Sequence, residues 1–286
     1  MGKGSFSVAN YTQAAATRRA TGTADFAYTN DMRNVPRDKR KAADSLDVFD
    51  VKVRESRDSD EHPNSTPIVV LFDVTGSMRS VPVVLQKKLG NLFGILERGD
   101  YVQDPQIMVG AVGDDVYDSV PLQVGQFESD NRVDEQLREI YLEGGGGGDK
   151  REGYALAAHF INTKVETDAW DKRKKKGYLF LIGDELNKDE LYSESISRWL
   201  GGDDTGENIS VSKVYEDLKE KWEVFYILPN LTGYYNDKEI ARHWEGLLGE
   251  RFIKLEDPDT IAEFIATTIS THEKALALSA KASTAV

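Results

Sequence analysis

Cysteine is absent from all 286 residues. That excludes disulfides and thiolate metal sites, and it fits a reducing, cytoplasmic setting. No apolar run approaches the roughly 20 residues of a membrane span. The opening Met1-Gly2-Lys3-Gly4-Ser5-Phe6 has no signal-peptide core, so no export is expected. Phe6 also stands where a myristoylation pattern needs Ser or Thr. Positive charge is in deficit, with 36 Lys and Arg against 49 Asp and Glu and a net charge of -13. Nonspecific nucleic-acid binding is therefore not expected. A P-loop is missing too: the five glycines Gly144 to Gly148 lead into Asp149-Lys150-Arg151 rather than Gly-Lys-Ser/Thr.

What is present centres on Pro67 to Ser77, PIVVLFDVTGS. Ile68 to Phe72 read as a short, fully buried strand. It ends at Asp73, and Thr75 and Ser77 follow at alternate positions, with Gly76 allowing a tight turn between them. One carboxylate and two hydroxyls leave the strand end together. Hard oxygen donors of this kind suit Mg²⁺ or Mn²⁺. The plainer reading is that Asp73 and Thr75 only cap the following helix.

Residues 1–65 are polar and read as an N-terminal arm, loosely ordered or draped over the domain. The arm is also where contact with another chain, like or unlike, would arise. Leu46, Val48, Val51 and Val53 suggest a short strand in it. The basic run Arg33 to Lys41 reads as a solvated face, with an acidic partner as the sharper alternative. A domain over 66–272 follows, then a tail over 273–286 expected to fray after Ala275.

Within the domain, Leu85, Leu89, Leu92, Phe93 and Leu96 recur at helical spacing, stopped by Gly99-Asp100. Gln106–Val112 and Val120–Val124 read as strands close enough to pair antiparallel, across the turn Gly113-Asp114-Asp115. A helix opens at Asp130 and another at Gly153. His159, in the second, reads as a packing or surface residue. Tyr178–Ile182 is apolar throughout and ends at Gly183-Asp184-Glu185. An acidic insertion runs to about Asn208. Helices from Val211 and over Lys238–Leu248, strands Glu223–Leu228 and Arg251–Leu255, and a final helix complete the chain. The glycine run is costly to order, so it suits either a close backbone approach or a plain flexible loop.

The alternation predicts an α/β fold. It is a Rossmann-like, doubly wound, mostly parallel six-stranded sheet with one antiparallel edge strand and helices on both faces. In such folds a site forms at the carboxyl ends of strands, where strand order reverses. If the first and fourth strands meet there, Asp73, Thr75 and Ser77 face Asp184. The loop before the helix at Gly153 then brings Asp149 and Glu152. So many like charges raise one another's pKa values unless a cation sits among them.

These loops resemble a von Willebrand factor A (VWA) domain with a metal-ion-dependent adhesion site. Asp73-Val74-Thr75-Gly76-Ser77 is similar to the family's Asp-x-Ser-x-Ser, with Thr for one Ser. Ile182-Gly183-Asp184 is similar to its third loop. No Thr follows the glycines. Instead Asp149-Lys150-Arg151-Glu152-Gly153 resembles the Asp-x-x-Glu-Gly loop of integrin β-subunit domains. Residues 110–122 and 252–265 are also similar to the family, and the charged arm and Gly125 to Asn131 resemble VWA proteins of bacteria and their phages. The resemblance spans roughly 67–269. It implies direct metal ligation by Thr75 and Ser77, with Asp73 and Asp184 acting through waters or as acceptors behind the ligands. Glu152 is then the second-loop ligand candidate and Asp149 a weaker one. It also implies Mg²⁺ or Mn²⁺ as cofactor, a partner protein offering a carboxylate, and binding rather than catalysis. A second glutamate on the ion would weaken its grip on that carboxylate or make the site structural.

Two alternatives stand beside it. Phe72-Asp73-Val74-Thr75-Gly76-Ser77 also resembles the Asp-Lys-Thr-Gly-Thr signature of haloacid dehalogenase-type phosphoryl transferases, which would make Asp73 a nucleophile and Lys176 the required lysine. Against it, Val74 replaces Lys and Lys176 precedes its strand. The other is a VWA scaffold whose metal site is vestigial.

Overall fold

The computed structural model describes residues 4–21, 27–99, 101–202 and 206–284. Asp100, expected to help stop a helix, lies outside them, as do Met1 to Lys3, Ala285 and Val286. The central sheet has six strands: β1 (Thr66–Asp73), β2 (Pro105–Val112), β3 (Leu122–Val124), β4 (Gly177–Ile182), β5 (Trp222–Pro229) and β6 (Phe252–Leu255), in the order β6-β5-β4-β1-β2-β3. All neighbours are parallel except β2 and β3. The antiparallel edge strand expected from the sequence is thus β3.

Strand order reverses between β1 and β4. From β1 the chain goes outward to β2, then later crosses back to β4 on the other side. Register sets Phe72 beside both Ile182 and Ala111, so β1 and β4 end level with each other. Every residue of β1, β2 and β4 is buried, as central strands covered by helices on both faces must be.

The layers separate by residue parity. Val69, Leu71, Leu179, Leu181 and Tyr226 face α4 (Tyr154–Lys164), α5 (Val211–Lys221) and α6 (Lys238–Leu248). Ile68, Val70, Phe72, Phe180 and Ile227 face the layer of α1 (Val81–Leu89), α2 (Leu92–Gly99), α3 (Arg132–Glu139) and α7 (Ile261–Thr284). The single helix expected over Leu85 to Leu96 is two, broken at Gly90 and Asn91. A side chain at Gly90 would lie 2.8 Å from the Tyr11 hydroxyl, so the arm crosses at the break. Through Ala275, where the sequence suggests fraying, α7 continues as helix to Thr284; alanine favours helix.

The arm drapes over the domain, with helices Val8–Thr21 and Ala27–Arg33. Phe6 stacks on Phe93 at 5.1 Å. Leu46 to Val53 form no strand. Leu46 and Val48 instead plug gaps in the two cores, and the Leu46 carbonyl accepts from Val124 N–H at 2.9 Å. The strand falls later, at Arg54–Ser56, parallel to Val165–Thr167. The basic run is mostly exposed, as a solvated face should be, with contacts to the domain. Arg40 donates to the Tyr141 hydroxyl at 3.1 Å, and Arg37 donates to the Tyr117 carbonyl. Among the described residues no helix is long and apolar enough to cross a membrane.

Candidate metal centre

Asp73 ends β1 fully buried. Its Oδ1 accepts from Thr75 N–H at 2.7 Å and from Thr75 Oγ1 at 2.6 Å, which folds the next residues back over the strand end. A 3₁₀ turn, Gly76–Met78, then aims Ser77 into the same hollow, its Oγ 3.3 Å from Thr75 Oγ1. Ser77 Oγ donates to Asp184 Oδ1 at 2.6 Å. Asp184 Oδ2 accepts from Tyr234 N–H at 3.1 Å, in the loop after β5. Four of the residues singled out in the sequence, Asp73, Thr75, Ser77 and Asp184, are therefore one hydrogen-bonded chain.

The glycine run is an ordered part of the site. Gly144 N–H donates to the Val74 carbonyl and Gly76 N–H to the Gly145 carbonyl, both at 2.9 Å. Gly144, Gly146 and Gly148 have φ of 69°, 107° and 77°, conformations that only glycine adopts cheaply. Asp118 Oδ1 accepts from Gly146 N–H at 2.8 Å and Asp114 Oδ2 from Gly147 N–H at 3.0 Å. Lys188 pairs with Asp114 Oδ1 at 2.9 Å and ties this clamp to the segment after β4. A Cβ at Gly146 would lie 3.1 Å from Glu152 Oε1 and 3.5 Å from Thr75 Cβ, so Glu152 belongs to the same hollow. Asp149 does not join it. Its side chain is exposed and accepts from Arg151 N–H at 3.2 Å.

Two further residues complete the centre: Glu185, which the sequence offers only as part of the Gly183-Asp184-Glu185 Mg²⁺ site of the phosphoryl-transferase alternative, and Tyr154, which does not stand out. Arg151–Glu152 pairs in parallel with Leu186–Asn187, which brings the segment of Glu185 up to Glu152, so that the two carboxylates sense each other's charge. Tyr154, opening α4, donates its hydroxyl to Asp73 Oδ2. Nothing in the sequence sets it apart from other helical aromatics. Gly183 makes room for it, since a Cβ there would lie 2.0 Å from the Tyr154 hydroxyl. Behind, the Glu185 carbonyl accepts from Trp244 Nε1 at 2.8 Å and the Tyr226 hydroxyl at 3.2 Å.

Asp73, Glu152, Asp184 and Glu185 are all buried, and no Lys or Arg among the described residues pairs with any of them. Burial pushes the pKa of each upward. The Asp184 charge adds to this for Asp73, and the Asp73 charge adds to it for Glu152. Ser77 and the Tyr234 N–H oppose it at Asp184. Glu152 Oε2 is buried without a hydrogen-bond partner. An orphaned carboxylate oxygen, two hydroxyls and an uncompensated set of acids are the donor chemistry that a hard divalent cation requires. The residues therefore fit the ion, with oxygens of both kinds. Among the described residues, no three His, Asp or Glu side chains alone form a group that could hold one. Lys176 stands at the opposite end of β4 from Asp184 and donates to the Lys219 carbonyl at 2.7 Å.

No protein-family model matches the chain, and no curated protein matches it. Among solved structures it is similar to the pilus adhesin SpaC of Lactobacillus rhamnosus GG, with TM-score 0.52 and 11% identity over 77% of this chain and 31% of the adhesin. It also matches the proximal thread matrix protein 1 of the mussel byssus, with TM-score 0.46 and 10% identity over 79% of this chain and 49% of that one. A third match is a von Willebrand factor type A protein from Catenulispora acidiphila, with TM-score 0.42 and 16% identity over 72% of this chain and 42% of that one. At such identities the likeness to the adhesin is one of fold. The chain spans about a third of that protein's length. The class defined here is an α/β domain of Rossmann-like build, with a mostly parallel six-stranded sheet and an oxygen-lined hollow at its switch point.

Proposed function

We propose that this chain is a VWA-type, divalent-cation-dependent protein-interaction module. The observation that carries the reading is the hollow itself: four buried carboxylates, two hydroxyls and no basic partner. Left alone, that arrangement must keep protons on its acids or repel. A cation removes the conflict. Thr75, Ser77 and Glu152 would hold Mg²⁺ or Mn²⁺, with Asp73 and Asp184 orienting the hydroxyls that do so. When bound, the ion supplies an open position for a carboxylate from a partner protein. Asp149, exposed and turned to its own loop, is left as an outer charge. Glu185 would take a place beside Glu152.

The chain's own residues point to binding rather than turnover. Val74 provides no cation next to Asp73, and Lys176 is at the far end of β4. Thermal melts in Mg²⁺ and in EDTA, run beside a generic phosphate-ester assay, test the reading. It expects a higher melting temperature in Mg²⁺ and no turnover. Turnover lost on Asp73→Asn would instead make this a phosphoryl transferase. An unchanged melt with every divalent ion would leave only a scaffold.

A further inference from the structure

The rim around the hollow carries apolar side chains that the fold does not use. Val116, Tyr117, Tyr192 and Leu231 are among the large apolar residues left exposed, with Tyr117 at 54% and Leu231 at 60%. Tyr117 lies in the β2–β3 turn and packs over the glycine run, since a Cβ at Gly147 would sit 2.3 Å from its ring. Val116 and Tyr192 flank a pocket of about 100 Å³ on the same side. Leu231 lies on the opposite side, in the loop after β5. Gly233 of that loop donates to the Ser77 carbonyl at 2.7 Å. The oxygen hollow is between these two flanks.

Backbone conformation singles out the same loops. Arg79, Lys150 and Leu231 are three of the six non-glycine residues with positive φ among those described. Each lies in a loop that forms or borders the hollow. For a bulky residue such as Leu231, φ of 71° is strained, and its exposure returns nothing to folding. Arg79, two residues beyond Ser77, is exposed and brings positive charge to the edge of an otherwise acidic chain.

We propose, resting on the metal-site reading above, that the hollow receives an extended segment of a partner protein in which one acidic residue is flanked two positions away, on both sides, by large apolar residues. The spacing follows from the sheet. Leu231 lies in the loop after β5 and Tyr117 in the loop after β2, and the ends of those strands are three strand intervals apart at about 4.8 Å each, or about 14 Å in all. The hollow, between β4 and β1, is midway. An extended chain advances about 3.3 Å per residue, so side chains two positions either side of a central carboxylate are about 13 Å apart and point the same way. Such a segment crosses the strand ends with its acid over the hollow, near Arg79. One apolar side chain falls on Leu231 and the other on Tyr117.

The test is a displayed library of nine-residue peptides with a fixed central Asp and random positions elsewhere. It is panned on the full chain in Mg²⁺ and eluted with EDTA. EDTA-eluted clones are expected to carry large apolar residues at the second position on each side. A synthetic peptide of that pattern binds about tenfold more tightly than its counterpart with Ser at both positions. Leu231→Ser and Tyr117→Ser, checked to melt like the parent, each remove the preference at one position while Mg²⁺-dependent retention of Asp peptides persists. EDTA-eluted clones with no preference at those positions would overturn the spacing proposal and leave the metal site standing. No EDTA-sensitive clones at all would overturn both.

Discussion

The Tyr154 hydroxyl donates to Asp73 Oδ2 from beneath, while Thr75 occupies Oδ1 from above. Asp73 is thus held on both oxygens by groups from different elements, the first turn of α4 and the loop after β1. Tyr154→Phe removes one donor and leaves a buried carboxylate oxygen without it. A loss of about 1–3 kcal/mol is expected in EDTA, read by denaturant unfolding. Weaker Mg²⁺ stabilisation should accompany it, because Asp73 is then free to turn. An unchanged unfolding midpoint would show that Asp73 does not depend on the phenol.

The glycine run makes a sharper claim about geometry. Gly146→Ala puts a methyl group on a backbone at φ 107° and 3.1 Å from Glu152 Oε1. Strain of about 1–2 kcal/mol is expected from the backbone alone. The Glu152 carboxyl should also be pushed out of place, so the variant loses most of its response to Mg²⁺. Gly148→Ala is the control. It shares a positive φ, but a Cβ there meets nothing within 4 Å. It should destabilise without abolishing the response.

Far from the hollow, Asp58 fastens the arm to the domain. Burial would raise its pKa, but hydrogen bonds from Arg173 and from Ser65 outweigh burial and hold it well below the usual carboxylate range. A depressed native pKa adds stability that is present above the unfolded value and is lost as pH falls through the native one. Asp58→Asn should therefore cost about 1 kcal/mol at neutral pH, a modest figure because the pair is partly solvated. The difference from the parent should narrow below about pH 4. Melts from pH 7 to pH 3 read it directly.

How much of this was legible beforehand depended on how local the cause was. α5 begins, and α6 begins and ends, where the sequence put them. Each has its own N-terminal cap, Ser210 accepting from Lys213 N–H and Asp237 from Glu239 N–H. The strand β1 was legible because five consecutive apolar residues admit few other fates. Leu46 to Val53 misled because their apolar spacing serves gap-filling between two cores rather than a ladder. Glu185 became a site residue only through a two-residue pairing of segments more than 30 positions apart. Tyr154 became one only because Gly183 left it space. Long-range contacts of that sort leave no periodicity to read. Asp73, Thr75, Ser77 and Asp184 could be found because a strand end and a short spacing suffice to place them.

The central claim is that oxygen atoms gathered from separate loops hold a single divalent ion. Titration calorimetry with Mn²⁺ on the full chain, compared with Ser77→Ala, tests it most directly. The account predicts one ion bound per chain, and binding lost or greatly weakened when the Ser77 hydroxyl is removed. Mn²⁺ that fails to bind the parent chain, or that binds Ser77→Ala equally well, would contradict it.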